Sequence, residues 1–208
     1  MSRDAVLSNI RTALSHSKAS APPTLPRYQL VGTLTAAERL GLLESRLDEY
    51  DARVFRSSAQ GLRESIAKVL LDGGKTRMVH PSGVPTDWLD TRISWTPDLD
   101  LALSYTEIES FDGILTGATV AVAESGSIVL QHGPKEGRRA LTLLPDYHLC
   151  VLFADQIVET LPECFERLKE SATRPTTFIS GPSATADIEM TRIKGVHGPR
   201  FLDVILVS

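Results

Sequence analysis

From Thr35 onward the sequence alternates helix-period and strand-period segments, and that alternation limits the chain to a small set of folds. AAERLGLLESRLDEY places Leu40, Leu43 and Leu47 on one helical face, and Thr35 with Glu38 three residues later fits a reciprocal N-terminal cap. ARVFRS reads as a short strand, GLRESIAKVLLDGG as a helix ended by Gly73-Gly74, and TRMVHP as the next strand. Helices alternating with strands predict a parallel sheet covered by helices, an α/β architecture. The segment before Thr35 differs in kind. Val6, Ile10, Ala13 and Leu14 recur at helical spacing, and Pro22, Pro23 and Pro26 follow among small residues. The expected organisation is therefore an amphipathic helix and proline-containing arm over 1–34, followed by one α/β domain over 35–208.

The later chain continues the alternation less evenly. The segment around Trp88 and Trp95 reads as a loop region, with a short helix expected within 99–106. GILTGATVAVAES and GSIVLQHG are β-rich arms joined near the Ser125-Gly126 turn signal. GRRALTLLPDY reads as a helical turn or loop. HLCVLFADQIV is expected as one buried strand, LPECFERLKES as a helix, PTTFISG as a strand, SATADIEMTRI as a short helix and FLDVILVS as the last strand.

Composition removes several classes of function. The chain has 22 Lys and Arg against 26 Asp and Glu, a net charge of -4, and its one basic cluster, Lys135, Arg138 and Arg139, is broken by Glu136. Nucleic-acid binding ordinarily needs a basic surplus or stripe, so none is expected. No window approaches the roughly 20 apolar residues of a membrane span, and the N-terminus lacks a secretory apolar stretch. Cys150 and Cys164 form no C-x-x-C pair, which suits reduced thiols and a cytoplasmic location. The scattered His16, His80, His132 and His148 show no metal-ligand spacing, and two cysteines cannot hold an iron-sulfur cluster, so neither a metal nor a cofactor is expected. Gly74-Lys75-Thr76 resembles the end of a phosphate loop, but Val69 stands where the earlier glycine is required.

Four polar, glycine-bearing stretches lie at the ends of expected strands: 117–127, 144–148, 181–189 and 195–200. Parallel sheets bind ligands outside the carboxyl ends of their strands, so these loops are the candidate site. In GPSATADIE, Gly181 leads into Ser183, Thr185 and Asp187. A helix opening there would present backbone N–H groups to an anion. The same hydroxyls serve equally well as helix caps, and Asp187 suits a first helical turn. In GVHGPR, His197 can act as acid, base or donor, and Arg200 can grip a carboxylate with two hydrogen bonds. In the turn Glu124-Ser125-Gly126-Ser127, Glu124 is a candidate base or nucleophile and the serines are candidate ligand donors. A solvent-facing edge glutamate is the plainer alternative.

Taken in order, AVAESGSIVL, LLPDYHLCVLFADQIV, FISGPSATADIEMTRIKGVHGPR and LDVILVS resemble the LUD domain, the family of the C-type lactate utilisation proteins. Ser125 and Ser127 stand where the family commonly has threonines, and the hydroxyls survive. The resemblance implies a Rossmann-like three-layer α/β/α sandwich of the NagB/RpiA/CoA-transferase-like type with a small extra β element. It also implies a place in bacterial oxidation of L-lactate to pyruvate, with redox centres on iron-sulfur partner proteins and a small carboxylate or other anion as ligand. Two alternatives stay open: an independent acyl-CoA enzyme using Glu124, and a non-catalytic interaction module.

Overall fold

A computed structural model of the chain describes residues 3–15, 29–99, 103–186, 192–195 and 197–208. Its centre is a six-stranded sheet in which every neighbouring pair is parallel. Its strands are β1 (Arg53–Ser57), β2 (Arg77–Pro81), β3 (Ser94–Asp98), β4 (Gly113–Thr116), β7 (Tyr147–Phe153) and β12 (Phe201–Val207), in the order β1-β12-β7-β4-β2-β3. A second sheet comprises β5 (Val120–Val122), β6 (Ser127–Leu130), β8 (Ile157–Val158) and β9 (Thr177–Ile179), in the order β8-β5-β6-β9. A two-stranded antiparallel ribbon pairs β10 (Ala184–Ala186) with β11 (Arg192–Lys194).

Strand alternation decides which helix covers which face. Leu149, Val151, Ile205, Val207, Leu115 and Met78 point to one side of the large sheet, where α3 (Leu62–Asp72) packs with Ile66 and Leu70. Cys150, Leu152, Val204 and Leu206 point to the other, against α2 (Ala36–Glu49) and the inner face of the small sheet, Ala121, Ala123, Ile128 and Leu130. The outer face of the small sheet, Val120, Val122 and Val129, is covered by Cys164 and Leu168 of α5 (Leu161–Leu168). The result is the expected α/β/α sandwich with an added β element.

The local signals hold where they are self-contained. The Thr35 N–H donates to the Glu38 carboxylate at 2.8 Å, the Glu38 N–H donates to Thr35 Oγ1 at 3.3 Å, and Leu40, Leu43 and Leu47 are buried. The N-terminal helix forms as α1 (Arg3–Ser15), with no buried residues. Most of the expected proline arm, 16–28, lies outside the described residues. Its continuation is tied down by buried Glu159, which accepts from Gln29 Nε2 at 3.0 Å and from the Leu34 N–H at 2.6 Å.

Four expectations need correction. The Trp95 region is not a loop, because it forms edge strand β3, with the Trp95 indole N–H donating to the Asp90 carbonyl at 2.8 Å. The short helix nearby is α4 (Tyr105–Glu109), later than expected. HLCVLFADQIV is two strands in different sheets. Gln156 ends β7 by accepting the Phe153 N–H and donating to the Ala118 carbonyl, which sends Ile157 and Val158 to the small sheet. Where a helix is expected over 183–193, the described residues form ribbon strands β10 and β11, and 187–191 lie outside the described residues. The Ser183 N–H donates to the Pro199 carbonyl at 2.8 Å and its carbonyl accepts the Gly195 N–H at 2.9 Å, an extended arrangement that leaves no helical turn to cap.

Candidate functional site

The ribbon places the two strongest sequence candidates side by side. Besides its two backbone bonds, Ser183 accepts the His197 N–H on Oγ at 3.0 Å, so three bonds hold the 195–200 loop against the 181–183 turn. Gly181 makes the turn possible. Its φ is +81°, and a β-carbon there would sit 2.4 Å from the Tyr50 Cβ. Between these segments and the large sheet lies a cleft of about 260 Å³. Its floor is His148 and Leu202, which are register partners on β7 and β12, and its walls include Arg139, Thr177, Ser180, Gly181, Ser183 and His197.

The cleft opens at the amino ends of β7 and β12. The expectation of a site at the carboxyl ends is corrected here, because the 144–148 and 195–200 loops enter those strands rather than leave them. Among the described residues no α-helix start lines it either, since Ala184–Ala186 is a ribbon strand.

The cleft has a definite electrostatic character. Among the described residues no carboxylate lines it. Arg139 Nη1 donates to Thr177 Oγ1 at 2.5 Å, and no described carboxylate pairs with Arg139. His148 is only 1% exposed, and burial pushes its ring down to about 4, so the imidazole is neutral at physiological pH. Its Nε2 bonds Thr116 Oγ1 at 2.7 Å, while Nδ1 has no partner among the described residues. His148 lines the floor of the cleft, so an imidazole nitrogen with no partner among the described residues is a hydrogen-bonding position there.

The other sequence candidates separate. Arg200 is held by Asp146 through two bonds of 2.5 and 2.6 Å, and that guanidinium keeps the Asp146 carboxyl below the usual range. Arg200 lines the outer hollow beside the cleft, together with His197 and Arg139. Ser127 is buried and shares a 2.7 Å hydrogen bond with Ser180 of the cleft wall. Ser125 donates to Ser127 at 2.9 Å, so the two hairpin serines reach the site only through Ser180. Gly126 turns the hairpin with φ +60°, its α-carbon against Arg46. Glu124 is exposed and lines a different hollow with Gln29, Leu161 and Phe165, so the fold does not bring it to His197. Thr185 lies in β10, and Asp187 lies outside the described residues.

The description of the LUD domain matches residues 95–207 of the chain, the part that contributes all of the cleft. A Deinococcus radiodurans protein named "Lactate utilization protein C" is 42% identical over 205 residues, covering 98% of this chain and 94% of the relative. The chain belongs to the LUD domain family. A Bacillus licheniformis protein of the same name is 24% identical over 231 residues, covering 99% and 96% of the two chains. The crystal structure of a DUF162 family protein from Deinococcus radiodurans superposes with a TM-score of 0.74 at 38% identity, over 85% of this chain and 100% of that one.

In this LUD domain the residues that sequence reasoning missed are Arg139, His148, Thr177 and Ser180. Arg139 was visible only as half of a short basic cluster, and His148 only as the last residue of LPDYH. Neither spelling says which arginine has an acid beside it among the described residues, or that His148 is bonded by Thr116. Among the described residues no group of three or more His, Cys, Asp or Glu could hold a metal ion, and no helix is long and apolar enough to cross a membrane.

Proposed function

We propose that this chain is a cytoplasmic component of a bacterial L-lactate utilisation system that works with iron-sulfur partner proteins and binds a small 2-hydroxy or 2-oxo carboxylate in the Arg139–His148 cleft. The place in lactate utilisation is supported by relatives that carry that name along nearly the whole chain. The ligand class rests on one observation: a cation and a neutral imidazole line the same cavity, and among the described residues no carboxylate lines it. Arg139 takes the ligand carboxylate through parallel N–H groups. His148 Nδ1 bonds the neighbouring hydroxyl or carbonyl oxygen, and Ser180 and Ser183 supply further hydroxyls around it. His197, at the mouth, is placed to act as donor or acid. The chain brings no cluster ligands, so electrons pass through the partners.

Calorimetric titration of L-lactate and pyruvate into wild type, Arg139→Ala and Arg200→Ala separates the two arginines. Loss of roughly tenfold or more in affinity is expected for Arg139→Ala, matching the loss of a charge-assisted bond, against less than about twofold for Arg200→Ala. Equal affinities in all three proteins would sink the assignment of Arg139.

A further inference from the structure

The loop at 131–138, which follows β6, is built to hold one histidine in an unfavourable backbone conformation. His132 has φ +54°, a region that a β-carbon disfavours. The buried Glu136 carboxylate holds the loop in that shape, accepting the Gln131 N–H at 2.6 Å, the Gly133 N–H at 3.2 Å and the Thr119 hydroxyl at 2.5 Å.

The ring that this loop presents has its hydrogens dictated by its neighbours. His132 Nδ1 lies 2.9 Å from the Gly137 carbonyl, which can only accept, so Nδ1 carries a hydrogen. In the neutral ring Nε2 is then a lone pair, and it accepts the Thr177 hydroxyl at 2.8 Å. The Thr177 oxygen in turn accepts from Arg139, which can only donate. Thr177 is thus a cleft hydroxyl whose proton already points at a base and whose oxygen already faces a cation. A hydroxyl, a base within reach and a third group orienting the base is the arrangement by which proteins activate hydroxyl protons.

We propose that Thr177 and His132 form a proton relay out of the cleft, with His132 as the terminal acceptor. This rests on the reading that the cleft holds a 2-hydroxy carboxylate. In the relay step the ligand's O–H bond breaks and its proton passes to Thr177 Oγ1. The proton of Thr177 passes to His132 Nε2, leaving an alkoxide on the ligand and an imidazolium held by the Gly137 carbonyl. Charge balances, and no electron moves in the step. The charged groups facing the ring are Arg139, Arg174, Glu136 and the Arg138–Asp98 ion pair. Arg139 and Arg174, which line the same hollow as His132, oppose the imidazolium, and an anion at Arg139 lessens that opposition.

Two measurements test this. Nitrogen-detected NMR of the histidine rings in the ligand-free chain is expected to show His132 as the Nδ1–H tautomer, and the Nε2–H tautomer would overturn the relay whatever the ligand. In L-lactate oxidation by the chain with its iron-sulfur partners, Thr177→Val is expected to lower kcat about 100-fold with KM little changed, while Thr177→Ser stays near wild type. His132→Asn is expected to lower kcat comparably to Thr177→Val. Unchanged kcat in Thr177→Val also overturns the relay. A wild-type chain that neither binds L-lactate nor supports its oxidation overturns the functional reading instead, and the tautomer then decides the relay by itself.

Discussion

The chain contains the tripeptide His-Gly-Pro twice, at 132–134 and at 197–199, each shortly before an arginine, and the two loops end in opposite states. At 197–200 the histidine side chain is exposed, the backbone is pinned through Ser183, and Arg200 is neutralised by Asp146. At 132–139 the histidine backbone is left-handed and the ring is bonded at both nitrogens. Arg138 is neutralised by Asp98, and Arg139 is left to bond a hydroxyl. Identical spelling therefore carries different chemistry, because partners contributed from elsewhere decide which groups remain available. The loop at 132–139 has a buried carboxylate inside it, which ties two of its backbone N–H groups around the left-handed His132, whereas the residues of 197–200 include no carboxylate.

That contrast can be broken at its base. Glu136→Ala leaves two backbone N–H groups and the Thr119 hydroxyl without their acceptor. A loss of about 3 kcal/mol in unfolding free energy is expected, with faster amide exchange confined to 131–138. Denaturant titration with hydrogen exchange checks this, and a change spread evenly over the molecule would refute the local role.

The floor between the loops gives an effect of similar size that depends on pH. Buried His148 stays neutral down to about 4, whereas an unfolded histidine takes up its proton near pH 6.5. Between those values the unfolded chain binds more protons, so stability falls as pH drops through the window, by about 3 kcal/mol in all. Denaturation at pH 7, 5.5 and 4.5 should show this slope in wild type and a flatter one in His148→Gln. A slope unchanged by the substitution would assign it to other groups.

The smallest effect belongs to the first loop. Ser183→Ala removes the acceptor of the His197 N–H, but that loop is open to water. A loss of no more than about 1 kcal/mol is expected, with ligand affinity more affected than melting temperature. A loss as large as that of Glu136→Ala would mean that the two loops are equally built.

Much of the scaffold was legible because its signals are local. The cap pairing Thr35 with Glu38, the leucine face of α2 and the apolar runs of β7 and β12 each state their structure within a few residues. The misreadings fall where a distant partner intervenes. SATADIEMTRI has no strong strand pattern, and its described ends, Ala184–Ala186 and Arg192–Lys194, pair as a ribbon beside the bonds of Ser183 to Pro199 and Gly195. The hollow beside Glu124 and the cleft beside His197 belong to separate regions, although both motifs look equally polar in sequence.

The sequence by itself determined the α/β class, the helices that cover the sheet, the family, and the nearness of Gly181, Ser183 and His197 to a site. These follow from periodicity, capping and motif order, which act over short stretches of chain. Only the tertiary structure decided that the site opens at the amino ends of β7 and β12. It also decided that, among the described residues, an acid pairs with Arg200 and none with Arg139, and that His148 lies on the floor of the cleft while His132 bonds Thr177 of its wall. The physical reason is that charge pairing and burial are properties of neighbours in space, and here those neighbours lie 32 residues apart for Thr116 and His148, 38 for Arg139 and Thr177, and 45 for His132 and Thr177.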